Sequence, residues 1–553
     1  MKRCLAMILT CALLLTVCPL EGLAAELDQK NQEAEADYIE QPIGEVEFQE
    51  EAPSPDQPEE PEEAPPEEPK AEPMTPEHEE VPKENAVQVQ STDTYTEGDY
   101  TYTVADGVAT ITKYTGSATN LTIPDTLDGY IVRVIGYSTF RSYKNLQSVQ
   151  FPDSVTKIDQ YAFQDCSNLR NVELPKNLQV LGTWAFKNCD AITAIKIPKS
   201  LQTTNSPFQD CDGLSDVQFE EGTTKVIRDI MSCCPGLTSI VLPDTITEIG
   251  GYAFHGCKNL QFVQFPDNVT KIGEWAFKDC FSLKNVELPK NLEVMGNWAF
   301  KNCDAITKIT IPKSLREVSS PFQDCDGLSD VQFEKGTTKV IRDIMSCCPG
   351  LTSIVLPDTI TEIGGYAFHG CKNLQFVQFP DNVTKIGEWA FKDCFSLKNV
   401  ELPKNLEVMG NWAFKNCDAI TKITIPKSLR EVSSPFQDCD GLSDVQFEKG
   451  TTKVIRDIMS CCPGLISIVL PDTITEIGRY AFHGCKNLKY IAIPGSVKNI
   501  MGNAFDKHSA ELTFSCPLNS IATIYAIDHD IPFILSDTLS VDTSGMLDKG
   551  KNS

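Results

Sequence analysis

The sequence predicts a repeat solenoid: a curved, right-handed coil in which each unit of about 23 residues adds one main short strand to a parallel β-sheet, then a second short strand and a short helical or 3-10 turn. Three observations carry this expectation. The phrase Phe-x-x-Cys-x-x-Leu-x-x-(Val/Ile)-x-(Leu/Ile/Phe)-Pro recurs along the chain, for instance as Phe277, Cys280, Leu283, Val286, Leu288 and Pro289. Its cysteine keeps phase: Cys166, Cys189, Cys211, Cys234, Cys257, Cys280 and Cys303 lie 23 residues apart with one step of 22, and the register continues from Cys325 to Cys485. A longer period is superposed, since Phe208, Phe322 and Phe436 are spaced by 114 and residues 222–351 recur without a substitution as residues 336–465. A five-unit block has been duplicated, so the array can change length without changing its fold.

Taken in order, residues 1–25 read as a secretory signal peptide: Lys2 and Arg3, an apolar run from Leu5 to Leu20, then Ala24 and Ala25. Lipid attachment at Cys18, preceded by Leu15, Thr16 and Val17, is the alternative. Residues 26–95 are rich in Glu and Pro and carry about −20 of the formal net charge of −29. Without apolar periodicity such a stretch cannot offset its ordering entropy, and it reads as a disordered acidic linker that either spaces the next domain from the N-terminus or simply solubilises it. Residues 96–123 alternate as Tyr-x-Val and Val-Ala-Thr-Ile-Thr, suggesting a hairpin that caps the first coil.

Residues 124–508 are the solenoid. Within a unit, Leu-x-x-Val-x-Leu alternates as a strand does, and the Pro that follows lacks a donor and ends the ladder. Val269-Thr270-Lys271-Ile272-Gly273 is a second short extended piece, Trp275 to Cys280 a compact turn, and Gly273 is expected to supply backbone freedom at the corner. One unit alone buries too little apolar surface to order its own backbone, so units are stable only when stacked. Ile230-Met231-Ser232-Cys233-Cys234 replaces Ala-Phe-x-x-Cys, and Pro207 replaces Ala before Phe208; these departures read as kinks or altered turns rather than sites. Residues 509–536 read as a C-terminal cap and residues 537–553 as a polar tail. The fragment Gly545 to Lys551 in that tail imitates a phosphate loop, but Asn552 stands where a metal-binding Ser or Thr belongs.

The combination Leu-x-x-Ile-x-Leu-Pro, Val-x-x-Ile-Gly and Ala-Phe-x-x-Cys, in fixed phase over more than a dozen units, resembles the BspA-like subclass of bacterial leucine-rich repeats. The closing segment from Leu512 to Ile534 is similar to that family's final strand, helix and strand. The resemblance implies a secreted or cell-surface bacterial protein that adheres to host matrix proteins, cell-surface proteins or other bacteria.

The residues themselves assign no catalytic, metal-ligating or cofactor-binding group, and the chain reads as a non-enzyme. No His-Glu-x-x-His or Gly-x-Ser-x-Gly occurs. No basic cluster with interleaved aromatics favours nucleic acid, and the mature chain has no run long and apolar enough to span a membrane. One cysteine per unit suggests a packing column of reduced thiols before a disulfide framework, although neighbouring coils about 4.8 Å apart are close enough to bridge. Cys233-Cys234, Cys347-Cys348 and Cys461-Cys462 lack the two-residue gap of zinc or redox pairs. His255, His369 and His483 are one position copied by duplication, explained as turn residues.

Two surfaces remain as binding candidates. On the strand face Phe262, Gln264, Asn285, Glu287, Lys308, Thr310, Asp330 and Gln332 should point outward, and Phe376, Gln378, Asn399 and Glu401 repeat the pattern, suiting multivalent contact with protein partners. The other is an aromatic column, Tyr161, Trp184, Tyr252, Trp275, Trp298, Tyr366, Trp389, Trp412 and Tyr480, which either packs between turns or offers rings to a glycan. Oligomeric state is left open, and a purely structural envelope spacer is a third reading.

Overall fold

The alternation of the repeat produces two parallel ladders, one on either side of each coil's core. The computed structural model describes residues 93–536; the signal-peptide and polar-tail readings, and nearly all of the linker reading, lie outside the described residues. The first ladder uses the strand ahead of the proline. Asn120–Thr122, Ser148–Gln150 and Asn171–Glu173 pair in parallel, as do Ser239–Val241 with Phe262–Gln264 and Ser353–Val355 with Phe376–Gln378. The second ladder uses the two-residue strands after the proline: Lys225–Val226, Glu248–Ile249, Lys271–Ile272 and Val294–Met295 stack in register. In both, one residue points in and its neighbours out; Val263 and Ile272 are buried between exposed Phe262, Gln264 and Lys271.

Between the ladders the corner turns stack their phenylalanines. The rings of Phe254, Phe277 and Phe300, all fully buried, lie 5.1 Å apart centre to centre and nearly parallel. Beside this spine run the cysteines, each thiol donating to a backbone carbonyl of the coil before: Cys280 to Phe254 at 3.3 Å and Cys303 to Phe277 at 3.1 Å. Every cysteine among the described residues is free, and all but Cys233, Cys347 and Cys461 are buried. Burial pushes Cys211 and Cys257 up to about 12, so these column thiols stay protonated and inert.

Three details differ from the sequence reading. The corner is a turn and not a helix: Trp275 and Asp279 both take positive φ, 55° and 61°, and the same two columns of left-handed residues recur from coil to coil. Gly273 does not serve by backbone freedom; a Cβ there would stand 2.4 Å from the Gly251 nitrogen, so it is space between coils that requires glycine. Nor does every unit add a strand to the first ladder. Asn285 and Asn399 turn left-handed, with φ of 47° and 45°, and the ladder lapses over those units.

At the N-terminal end Thr94–Glu97, Tyr100–Ala105 and Val108–Tyr114 pair antiparallel, and the last of these pairs in parallel with Tyr130–Ile135 to start the second ladder. The first strand begins inside the stretch read as linker. At the other end Thr513–Cys516, the helix Ile521–Asp528 and Phe533–Leu535 follow in that order. Ser520 caps the helix by accepting from the Thr523 N–H, and Tyr525 donates to the Gly502 carbonyl at 2.8 Å. It is the only α-helix among the described residues.

Candidate binding surface

All twelve strand-face residues named from the sequence point to solvent. Parallel register sets them side by side: Ser239 lies beside Phe262 and Val241 beside Gln264. Phe262 and Phe376 are each 43% exposed, and Val241 and Val355 each 60%. The duplicated blocks therefore present the same small apolar patch twice, and a third partial copy begins with Val469 at 58%. Polar rungs flank the patches. Lys308 Nζ stands 3.4 Å from Asp330 Oδ2 on the next strand, and Lys422 repeats the pair with Asp444 at 3.3 Å. Where the ladder lapses, Asn285, Glu287, Lys290, Lys308, Thr310 and Glu334 line an open trough of about 640 Å³.

The aromatic column is half-buried throughout. Its rings touch one another: Tyr252 to Trp275 at 4.8 Å, Trp275 to Trp298 at 5.6 Å, Tyr366 to Trp389 at 4.9 Å and Trp389 to Trp412 at 5.5 Å. A cation also covers each ring: Arg228 lies 4.4 Å from the centre of Tyr252, Lys278 4.4 Å from Trp275, Lys187 4.4 Å from Trp184 and Lys392 4.1 Å from Trp389. Tyr161 and Tyr480 meet Arg141 and Arg456 at 5.7 and 5.9 Å, and Trp298, Tyr366 and Trp412 meet Lys301, Arg342 and Lys415 at 5.0, 4.3 and 4.6 Å. Ring faces so occupied hold the coils together and leave little aromatic surface for a sugar.

One cluster went unnoticed in the sequence. The duplicated histidines do lie in turns, but His255 Nε2 also stands 3.4 Å from Asp279 Oδ2, and His369 stands 3.4 Å from Asp393. Asn302 and Asn416 donate to the other carboxylate oxygen of those aspartates at 2.7 Å. Burial alone would lower the two histidines, yet hydrogen bonds to the aspartate and to Cys233 or Cys347 lift both to about 9. Their partners lie one coil away on either side, where no motif read along the chain finds them.

The family pattern described as BspA type leucine rich repeat region matches residues 112–234, 224–349, 342–458 and 433–526. Among solved structures, a leucine-rich repeat protein of Bacteroides ovatus is 23% identical, with 80% of this chain and 99% of that one covered and a TM-score of 0.43. A leucine-rich cell surface protein of Faecalibacterium prausnitzii is 25% identical over 79% of this chain and 98% of that one, TM-score 0.30. The pneumococcal vaccine antigen PcpA is 16% identical over 80% and 99%, TM-score 0.33. No curated protein matches the chain. Among the described residues no helix is long and apolar enough to cross a membrane, and no group of three or more His, Cys, Asp or Glu side chains is placed to hold a metal ion.

Proposed function

Since the chain belongs to the BspA-type leucine-rich repeat family, we propose that it is a secreted or surface-displayed bacterial adhesin that works without catalysis, gripping protein partners on host matrix, host cells or other bacteria through its strand face. The observation that carries this reading is the repetition of one outward patch: Phe262 and Val241 recur as Phe376 and Val355 with equal exposure, on the same face and in the same register. A partner with repeated epitopes engages two such patches at once, and the second contact forms at the high effective concentration that tethering provides. The charged rungs beside them, such as Lys308 with Asp330, supply orientation more than affinity. The signal-peptide reading of residues 1–25 and the acidic linker of residues 26–95 fit delivery to the exterior and spacing from a surface.

The test is a pull-down from host-matrix and bacterial-surface extracts, comparing the mature chain with a variant lacking one five-unit block. Multivalent adhesion predicts a partner whose apparent affinity falls by about tenfold or more in the shortened array. Capture of no partner from either extract would leave a structural spacer as the better reading. The glycan alternative receives no specific support, because the rings it needs are already covered.

A further inference from the structure

Among the described residues, only three cysteines are not buried, and they are the same position in successive copies: Cys233, Cys347 and Cys461. Each holds a left-handed backbone, with φ of 55°, 54° and 53°, at a position where most other coils place Asp, Asn or Gly. Cysteine has no special tolerance for that conformation, which the turn imposes on each coil at this position. Here the thiol is aimed along the flank at the next coil. A Cβ on Gly256 would stand 2.9 Å from Cys233 Sγ, so glycine at that point makes room for the sulfur, and Gly370 and Gly484 do the same for Cys347 and Cys461.

The neighbours of Cys233 complete a constellation. Ser232 Oγ lies 3.8 Å from Cys233 Sγ and 3.5 Å from His255 Nδ1. The far nitrogen of that ring meets Asp279, which Asn302 fixes from behind. Tyr252 and Trp275, themselves in contact, pack beside the imidazole, with centroids 5.8 and 6.3 Å away. Asp229 and Lys278 are the other charged groups close to the dyad. Nucleophile, imidazole and orienting carboxylate thus come from three successive coils. Cys347, His369 and Asp393 repeat the arrangement. The third copy does not: beyond Cys461 and His483, Lys507 occupies the place of the aspartate and Asn503 that of the tryptophan.

We propose that Cys233 and Cys347 are reactive thiols that undergo exchange with low-molecular-weight disulfides, each activated by its His–Asp dyad, and that Cys461 is an inactive copy of the same site. The thiolate of Cys233 attacks one sulfur of a disulfide R–S–S–R. A bond forms between Cys233 and that sulfur as the R–S–S–R bond breaks, oxidising Cys233 and reducing the departing half. The leaving thiolate takes the imidazolium proton and departs as a thiol, and neutral His255 remains on Asp279. The product is a mixed disulfide on the flank of the solenoid, which leaves the buried cysteine column untouched.

The full chain, reduced and folded, is treated with hydroxyethyl disulfide, an uncharged probe, and adduct formation is followed by peptide mass spectrometry at neutral pH. The tryptic peptides carrying Cys233 and Cys347 share one sequence, whereas the Cys461 peptide is distinguished by Ile466, so the active pair is read against the inactive copy in a single sample. Fragmentation separates Cys233 from Cys234. The proposal expects adducts on Cys233 and Cys347 to form about tenfold faster or more than on Cys461. It expects Asp279→Asn with Asp393→Asn to slow the pair towards the Cys461 rate. Lys507→Asp, a change at an exposed position, should accelerate Cys461. Equal rates at all three positions in the native chain would overturn the proposal, and so would a Cys461 rate indifferent to Lys507→Asp.

Discussion

Cys233 and Cys234 are neighbours in sequence but occupy opposite sides of the wall. Cys234 points into the coil, is fully buried and donates a hydrogen bond to the Phe208 carbonyl at 3.2 Å. Burial pushes its titration far above the ordinary thiol range. Cys233 points along the flank towards the next coil, where Gly256 leaves room for its sulfur. The contrast teaches that in a stacked coil the side chain's direction, not its neighbourhood in sequence, decides whether a residue belongs to the scaffold or to the surface. The interior column is tied to the coil before it by each thiol, while the flank is assembled from single residues of three coils. The two regions should therefore respond very differently to substitution.

The sharpest test of the interior is the phenylalanine spine. Phe277 stacks between Phe254 and Phe300 and is fully buried, so Phe277→Ala removes contacts with both neighbouring coils. It should cost about 3 to 5 kcal/mol in denaturant unfolding. In a one-dimensional array the loss should also appear as a separate early transition if it uncouples the coils on either side. A cost below about 1 kcal/mol would mean that the flank, and not the spine, couples the units.

The cysteines give the paired comparison. Cys280→Ser puts a more polar group where a fully buried thiol donates to Phe254, and should cost about 1 to 3 kcal/mol. Cys233→Ser lies on the half-buried flank and should cost less than about 1 kcal/mol. Equal losses in thermal or denaturant unfolding would break the distinction between column and flank.

Much of this was legible in the sequence, and what was not has a physical reason. The ladders, the Phe spine and the Cys column follow from patterns local to one unit and repeated in phase, so periodicity alone locates them. The lapse at Asn285 did not show, because Asn285 occupies a position that alternates like its equivalents and leaves the ladder only through its left-handed backbone. Gly273 was misread for a related reason: a glycine needed for φ and one needed for space look the same in one dimension. The His–Asp dyad was invisible because Cys233, His255 and Asp279 meet only after stacking, and tests for paired cysteines look along the chain.

The dyads also make a pH prediction with a definite sign. His255 and His369 are raised to about 9, above the ordinary 6.5, so their ion pairs contribute fully below about pH 6.5 and are lost as pH rises through about 9. Asp279 and Asp393 are lowered: burial opposes ionisation, but hydrogen bonds from the histidine and the asparagine outweigh it. Their contribution is present above the ordinary carboxylate range and disappears as acid titrates the folded form. Each dyad, partly screened by solvent, should add about 1 to 2 kcal/mol near neutral pH. Unfolding followed against pH should show Asp279→Asn with Asp393→Asn less stable than the parent at neutral pH, with the gap closing above pH 9. A gap that persists at high pH would assign the loss to packing and not to charge.

The smallest effect on stability is expected where the proposed function lies. Phe262 and Phe376 lean on an already formed ladder and each leaves 43% of its surface in water, so truncating both to alanine should change unfolding by only about 0.5 kcal/mol per site. Val263 and Val377, behind them, keep the strands packed. Loss of a scaffold residue opens the core, whereas Phe262 and Phe376 lie outside it, and under the proposed function they serve the partner and not the fold. The double variant Phe262→Ala and Phe376→Ala should therefore fold as the parent does and lose partner capture in the pull-down, and each single variant should retain one of two equivalent grips. Undiminished capture by the double variant would move the contact to the charged rungs and the trough beside Asn285.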